Sequence, residues 1–310
     1  MVRVGVVGEL TVDDVIFEDL DCHWKQIGGG VLYAAAGALV WGVDVRISAA
    51  IGTDHTDELL GQLSERGLDP STLTRIDKPS LGLWLLYERS GHRHQVQKAS
   101  GSTFDALDQA REKWPGACGQ VDVLHVAPQS TEGQISTLEQ VAEYRRHDAL
   151  MVTQDLLVEP FIDASAYRDG TEIRGTDVFM PSAQEVRQIW GDVSAAALFD
   201  TLRGGVAGIR GLVIKHGREG AHVVSGDGEC HVPVVPITAV DETGAGDAFS
   251  GGVAAGLGTT GDLVEAVVAG TVSASIVVET QGAIKALDRI PETDHTARAN
   301  DVRKRMETIA

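Results

Sequence analysis

Residues 240–249, Val-Asp-Glu-Thr-Gly-Ala-Gly-Asp-Ala-Phe, constrain this chain more than any other stretch. Upstream, Cys230 to Ile237 is rich in Val and punctuated by Pro233 and Pro236, which predicts an extended approach. Downstream, Ala248 to Leu257 is small and apolar and lacks Pro, which predicts a buried helix. The glycine-rich turn between them therefore leads into a helix N-terminus. Backbone amides there lack partners and the helix dipole is positive, so phosphate is a natural ligand. Gly244 and Gly246 let the backbone approach a ligand closely. Asp247 stands at the mouth of the same turn. A carboxylate there can take a proton from an attacking hydroxyl, or it can simply cap the helix. The residues alone leave both roles open.

The rest of the chain alternates strand and helix. Apolar runs at Val2–Val7, Val45–Ala49, Val121–Val126, Ala149–Thr153, Val178–Met180 and Gly211–His216 read as strands. Helical patterns fall at Val31–Trp41, Asp57–Arg66 and Ile135–Arg146, and again at Leu263–Glu279. Such alternation predicts a doubly wound, mostly parallel sheet with its loops on one rim. Leu81–Glu88 and Arg93–Lys98 read as a hairpin around the cationic tip Arg89, His92, Arg93 and His94. A second hairpin spans Ala221–Ser225 and Glu229–Val235. Aromatic residues are only 5% of the chain, so the core must be built from Val, Ala, Leu and Ile.

Charge narrows the partners. The formal net charge of −19 repels nucleic acid and anionic membranes. It also repels a phosphate-bearing ligand at long range, so an anion site here must rely on local dipoles and cations. Cys22, Cys118 and Cys230 are widely spaced and odd in number, which points to free thiols in a reducing compartment. The most apolar run, Leu263–Val278, contains Glu265 and is short for a membrane span. The start of the chain reads as a strand rather than a signal peptide, and the expectation is a soluble cytoplasmic protein. The first strand ends Gly5-Val6-Val7-Gly8-Glu9, which is not a dinucleotide fingerprint, and no P-loop sequence occurs.

The order Asp-x-Thr-Gly-Ala-Gly-Asp-Ala-Phe resembles the C-terminal signature of the ribokinase-like (PfkB-type) carbohydrate kinases. The resemblance implies an α/β fold: a doubly wound, mostly parallel central sheet flanked by helices, with a small β lid. It implies that Asp247 is the catalytic base and that the amides of Gly244, Ala245, Gly246 and Asp247 form the anion hole. Gly28-Gly29-Gly30 looks like the family's N-terminal glycine motif, which holds substrate through its backbone. Asp13 matches an Asp that binds sugar hydroxyls, with Thr11 in place of a frequent Asn. Tyr33 occupies a position usually filled by a substrate-binding Asn; it is available for stacking on a base or for core packing.

On the nucleotide side, Pro181-Ser182-Ala183-Gln184-Glu185 is similar to the family's Pro-Asn-x-x-Glu. The resemblance puts Ser182 near phosphate and Glu185 near Mg²⁺ and its waters; a plain helix capping box accounts for the same residues. Lys215, Gly217 and Gly220 match a nucleotide-contacting Thr-x-Gly-x-x-Gly turn, with Lys215 replacing the Thr. Thr271 is a candidate beside the adenine, and Asp241 and Thr243 with the Gln281-Gly282 loop are candidates for a monovalent cation such as K⁺.

The expected organisation is one ribokinase-like domain over residues 1–310, with a reduced lid from about 15–27 and 81–98. The expected activity is transfer of the ATP γ-phosphoryl group, with Mg²⁺, to a hydroxyl of a sugar or related polyol. A nucleoside or inositol kinase and a non-catalytic metabolite-binding relative are the alternatives, and a homodimer is compatible with either.

Overall fold

Strands that are apolar on both faces need cover on both sides, and the sheet provides it. The computed structural model describes residues 1–54, 56–89, 93–146, 149–156, 164–290 and 293–308. Its first strands are β1 (Arg3–Val7), β2 (Thr11–Phe17), β3 (Cys22–Gly28), β4 (Asp44–Ile51), β5 (Leu73–Arg75), β6 (Leu81–Tyr87) and β7 (Arg93–Gln97). The remainder are β8 (Val123–Val126), β9 (Met151–Gln154), β10 (Val178–Phe179), β11 (Gly211–Lys215), β12 (Ala221–Ser225), β13 (Gly228–Val232) and β14 (Glu307–Thr308).

Ten strands form one sheet in the order β14-β13-β12-β11-β10-β9-β8-β1-β4-β5. From β11 to β5 every pairing is parallel, for example Val4 with Val45 on one side and Val123 on the other. Strands β12 to β14 turn the far edge antiparallel. Val4, Val6, Leu124 and Val152 are fully buried between the helical layers. Such a sheet carries its ligands beyond the carboxyl ends of the strands. Among the described residues no helix is long and apolar enough to cross a membrane.

The second sheet, β3-β2-β6-β7, covers that rim. It takes in more of the chain than the expected 15–27, because the stretch after β1 forms its strand β2. Asp13 and Asp14 interrupt the apolar pattern of Thr11-Val12 and Val15-Ile16-Phe17 and hide the strand from a hydropathy reading. Seven residue pairs, Thr11–Leu81 to Phe17–Tyr87, hold β2 against β6 in parallel. The hairpin β6–β7 pairs antiparallel as expected; residues 90–92 of its tip lie outside the described residues.

Two small-residue helices carry the rim's functional ends. The helices Gly30–Leu39 and Ala245–Thr260 approach so closely that their backbones touch. A Cβ built on Gly37 would lie 2.8 Å from Ala248 Cα, and one on Gly251 would lie 2.8 Å from Ala34 Cα. Any larger side chain at these crossings would push the helices apart. This contact is what brings the N-terminus of the first helix against the N-terminus of the second.

Candidate active site

The catalytic-turn candidate is fixed by its own backbone. Val278 O accepts from the amides of Val240 (2.7 Å) and Asp241 (3.2 Å), and Asp241 Oδ1 accepts from the Thr243 amide (2.9 Å). Gly244 is the N-cap at φ 75°, a left-handed conformation that favours glycine, and no side chain caps the helix. The Ala245 amide bonds to Glu242 O at 3.2 Å, so the turn itself uses that donor. Gly246 and Asp247 follow in the first helical turn, where an amide has no intrahelical acceptor. The glycine turn thus leads into the helix with Gly246 and Asp247 in its first turn.

The acceptor-side candidates converge on the same place. A Cβ on Gly30 would lie 2.9 Å from Asp247 Oδ1, and a Cβ on Gly28 would lie 2.8 Å from Asp13 Oδ2. Asp13 and Asp247 thus flank the Gly28–Gly30 run, Asp13 almost wholly buried on β2 and Asp247 half-buried. Gly29, at φ 96°, lets the run pass the backbone of Glu9 to Thr11. Tyr33 is 4% exposed, and a Cβ on Gly244 would fall inside its ring. The glycine turn lies directly against its ring. Burial, then Asp241, Asp13, Tyr87 and Asp247, push the Tyr33 phenol well above its usual pKa.

The lid contributes groups that sequence reasoning missed. Phe17 and Tyr87 end their paired strands on the inner face and stack, with ring centroids 5.3 Å apart and planes at 27°. His23 meets Phe17 edge-on at 5.7 Å. The Tyr87 hydroxyl lies 2.6 Å from Thr243 Oγ1, so the lid reaches the turn directly. The period-two pattern Asp13, Val15, Phe17 was available in the sequence once β2 is recognised as a strand.

On the nucleotide side the structure gathers Ser182, Glu185, Lys215 and a residue not anticipated, Asp155. Asp155 follows β9 at the ligand rim and is 3% exposed. Its Oδ2 accepts from Ser250 Oγ (2.9 Å) and from Lys215 Nζ, and Oδ1 accepts from the Leu156 amide (2.9 Å). A polar side chain just past the end of a buried strand was the available signal. Ser182 and Glu185 form the full capping box: Glu185 Oε2 accepts from the Ser182 amide at 2.6 Å and Ser182 Oγ from the Glu185 amide at 3.2 Å. Burial and then Asp155 push the Glu185 carboxyl up to about 7, held back by Lys215. Burial opposes charge on Lys215, but Asp155 and Glu185 outweigh it and hold the ammonium above its ordinary range.

Gly217 (φ 58°) and Gly220 (φ 98°) form a tight turn after β11, closed by the bond from the His216 amide to Gly220 O at 2.8 Å. Thr271 lies mid-way along the buried helix Leu263–Val277 and is 5% exposed. Asp241 and Thr243 are both 5% exposed, and Gly282 caps the helix Ala283–Arg289 at φ 76°. Among the described residues no three His, Cys, Asp or Glu side chains form a metal cluster. Asp155, Glu185 and the Ser250 hydroxyl are all oxygen donors, a set that suits Mg²⁺ held jointly with phosphate and water.

Comparison with known proteins gives the family and the fold. The family model described as pfkB family carbohydrate kinase matches residues 3–290. A cytidine kinase of Thermococcus kodakarensis is 27% identical over 288 residues, 91% of this chain and 98% of that protein. Among solved structures, the nucleoside kinase of Burkholderia thailandensis in complex with inosine superposes with a TM-score of 0.75 at 17% identity, covering 96% of this chain and 97% of that one. An E. coli protein of the ribokinase type, solved with ATP and Mg²⁺, gives 0.73 at 18% identity, covering 96% and 100%.

Proposed function

The chain belongs to the pfkB family of carbohydrate kinases, and from that premise we propose that it transfers the γ-phosphoryl group of ATP to a hydroxyl of a nucleoside. The observation that carries the choice of acceptor is the stacked pair Phe17–Tyr87 on the inner face of the lid, with His23 beside it. A flat, partly apolar surface on the strand that also carries Asp13 suits a base joined to a sugar. A free sugar has hydroxyls for Asp13 but little to place against stacked rings. The likeness to a cytidine kinase and to a nucleoside kinase seen with inosine supports the same reading.

In this account Asp13 holds sugar hydroxyls, and the Gly28–Gly30 backbone brings the acceptor against the catalytic turn. Asp247 takes the proton from the attacking hydroxyl as the oxygen adds to the γ-phosphorus and the bond to ADP breaks. The Gly246 and Asp247 amides hold the charge on the transferring oxygens. Asp155 and Glu185, with Ser250, would hold Mg²⁺, which when bound neutralises charge on the outgoing phosphates. Gly217 and Gly220 shape the turn for the nucleotide and Thr271 flanks it. Asp241 and Thr243 remain the candidates for a monovalent cation beside the turn.

A panel of nucleosides and free sugars or polyols (ribose, fructose and inositol among them), each with ATP and Mg²⁺, tests the acceptor. The reading expects kcat/KM for at least one nucleoside to exceed that of every free sugar by about 100-fold or more, as expected where base contacts fix the acceptor. A free sugar or inositol turned over as well as the nucleosides would overturn it.

A further inference from the structure

One of the carboxylates suited to a divalent cation, Asp155, is already paired with a cation of the chain's own. Lys215 Nζ donates to Asp155 Oδ2, with 14% of the Lys side chain and 4% of the Asp side chain exposed. Its backbone is pinned where β11 ends: the Lys215 amide bonds to Pro181 O at 2.9 Å, and Lys215 bridges in parallel to Ser182. The same ammonium faces the anion turn, because a Cβ on Gly246 would lie 3.6 Å from Nζ. Lys215 therefore stands between two destinations: the carboxylate that suits Mg²⁺ and the amides that suit the transferring phosphoryl group.

We infer that Lys215 is an exchangeable occupant of the divalent-cation seat, held by Asp155 in the nucleotide-free protein and released towards phosphate when the metal arrives. A buried Asp155 without a cation is costly, which gives the ammonium its place in the free protein. Two cations on one small carboxylate repel strongly in a buried site, so metal and ammonium compete for it. The loser has a use, since the phosphates that accompany the metal offer new acceptors beside Gly246. The sequence resemblance puts a Thr at this position, so the exchange would distinguish this chain from relatives with the uncharged residue. This reading rests on the proposed phosphoryl transfer for its purpose, but its competition step concerns only Asp155, Lys215 and a divalent cation.

The test is Mn²⁺ binding to the nucleotide-free full-length protein, followed by electron paramagnetic resonance. Lys215→Met and Lys215→Thr are compared with the parent and with Lys215→Arg, and Asp155→Asn is added to Lys215→Met to locate the ion. Competition expects both uncharged variants to bind Mn²⁺ about 10-fold or more tightly than the parent, Lys215→Arg to remain weak, and Asp155→Asn to abolish the gain. It also expects kcat with MgATP to fall about 100-fold in the uncharged variants, the typical size of a lost charge-stabilising donor. Should removing the ammonium leave Mn²⁺ affinity unchanged or weaker, Lys215 is a structural partner of Asp155 and the inference fails. A gain that survives Asp155→Asn also overturns it. Failure of the acceptor panel leaves these binding results intact, so the two proposals fall separately.

Discussion

The Tyr87 hydroxyl lies 2.6 Å from Thr243 Oγ1, joining the last residue of a lid strand to the glycine turn 156 positions further along the chain. Tyr87 also carries the ring that stacks on Phe17. Lid position and turn position are thus one mechanical unit. Tyr87→Phe keeps the ring and removes the bond. We expect a stability loss of about 1 kcal/mol by urea denaturation, the usual net worth of such a bond. Acceptor KM should rise several-fold, with KM for ATP little changed in steady-state kinetics.

Phe17 supplies the other half of the stack. Phe17→Ala should raise the KM for a nucleoside about 2–10-fold, the range set by one aromatic contact, with kcat nearly unchanged. Steady-state kinetics against the best nucleoside checks this. An equal loss for nucleoside and free sugar would locate Phe17 in the lid's packing instead of its ligand face.

Gly244 and Tyr33 are matched by shape. A Cβ at Gly244 would enter the Tyr33 ring, and φ 75° is itself unfavourable for an L side chain. Gly244→Ala should cost about 2–4 kcal/mol, combining overpacking with backbone strain, and should abolish turnover. Combining it with Tyr33→Ala removes the overlap but leaves the strain. Denaturation of the two singles and the double should show destabilisation less than additive.

How much of this was legible in the chain depends on what each residue does locally. The glycine turn announced itself because Gly244, Gly246 and Asp247 act within one short segment whose flanks set its conformation. The parallel sheet was legible for the same reason: runs such as Val2–Val7 are apolar on both faces. The lid was underestimated because β2 carries Asp13 and Asp14, and its strand character comes from pairing with β6, 70 residues away. Asp155 is marked in the sequence only by its place just past an apolar strand, a weak signal that many loop residues share. Its partners Lys215 and Ser250 arrive from 60 and 95 residues away. Tyr33 reads in the sequence as either stacking or packing, and only the fold places Gly244 against its ring.

His125 gives the stability a pH dependence of known sign. It is fully buried on β8, with Nδ1 3.0 Å from Thr153 Oγ1, and burial lowers its pKa to about 4 from an ordinary 6.5. Between those values the unfolded chain binds a proton that the folded protein refuses, so this contribution is complete above about pH 6.5 and is lost as the pH falls towards 4. The full shift corresponds to about 3 kcal/mol. Glu185, pushed up to about 7, acts in the opposite sense, stabilising below about 4.5 and losing its contribution as the pH rises to 7. His125→Gln should therefore flatten the acid side of the stability curve, measured by urea denaturation from pH 4 to 7. An unchanged slope would mean that another group refuses the proton.

One acid and the amides beside it carry out the proposed transfer, and single-turnover kinetics of Asp247→Asn with Mg·ATP and the best acceptor puts this to the test. The substitution keeps size and hydrogen-bonding capacity while removing the base. The expected result is a fall in the transfer rate of about 10³-fold or more, with ATP affinity measured by titration within about two-fold of the parent. A variant that transfers phosphate at a rate near the parent's would contradict the claim.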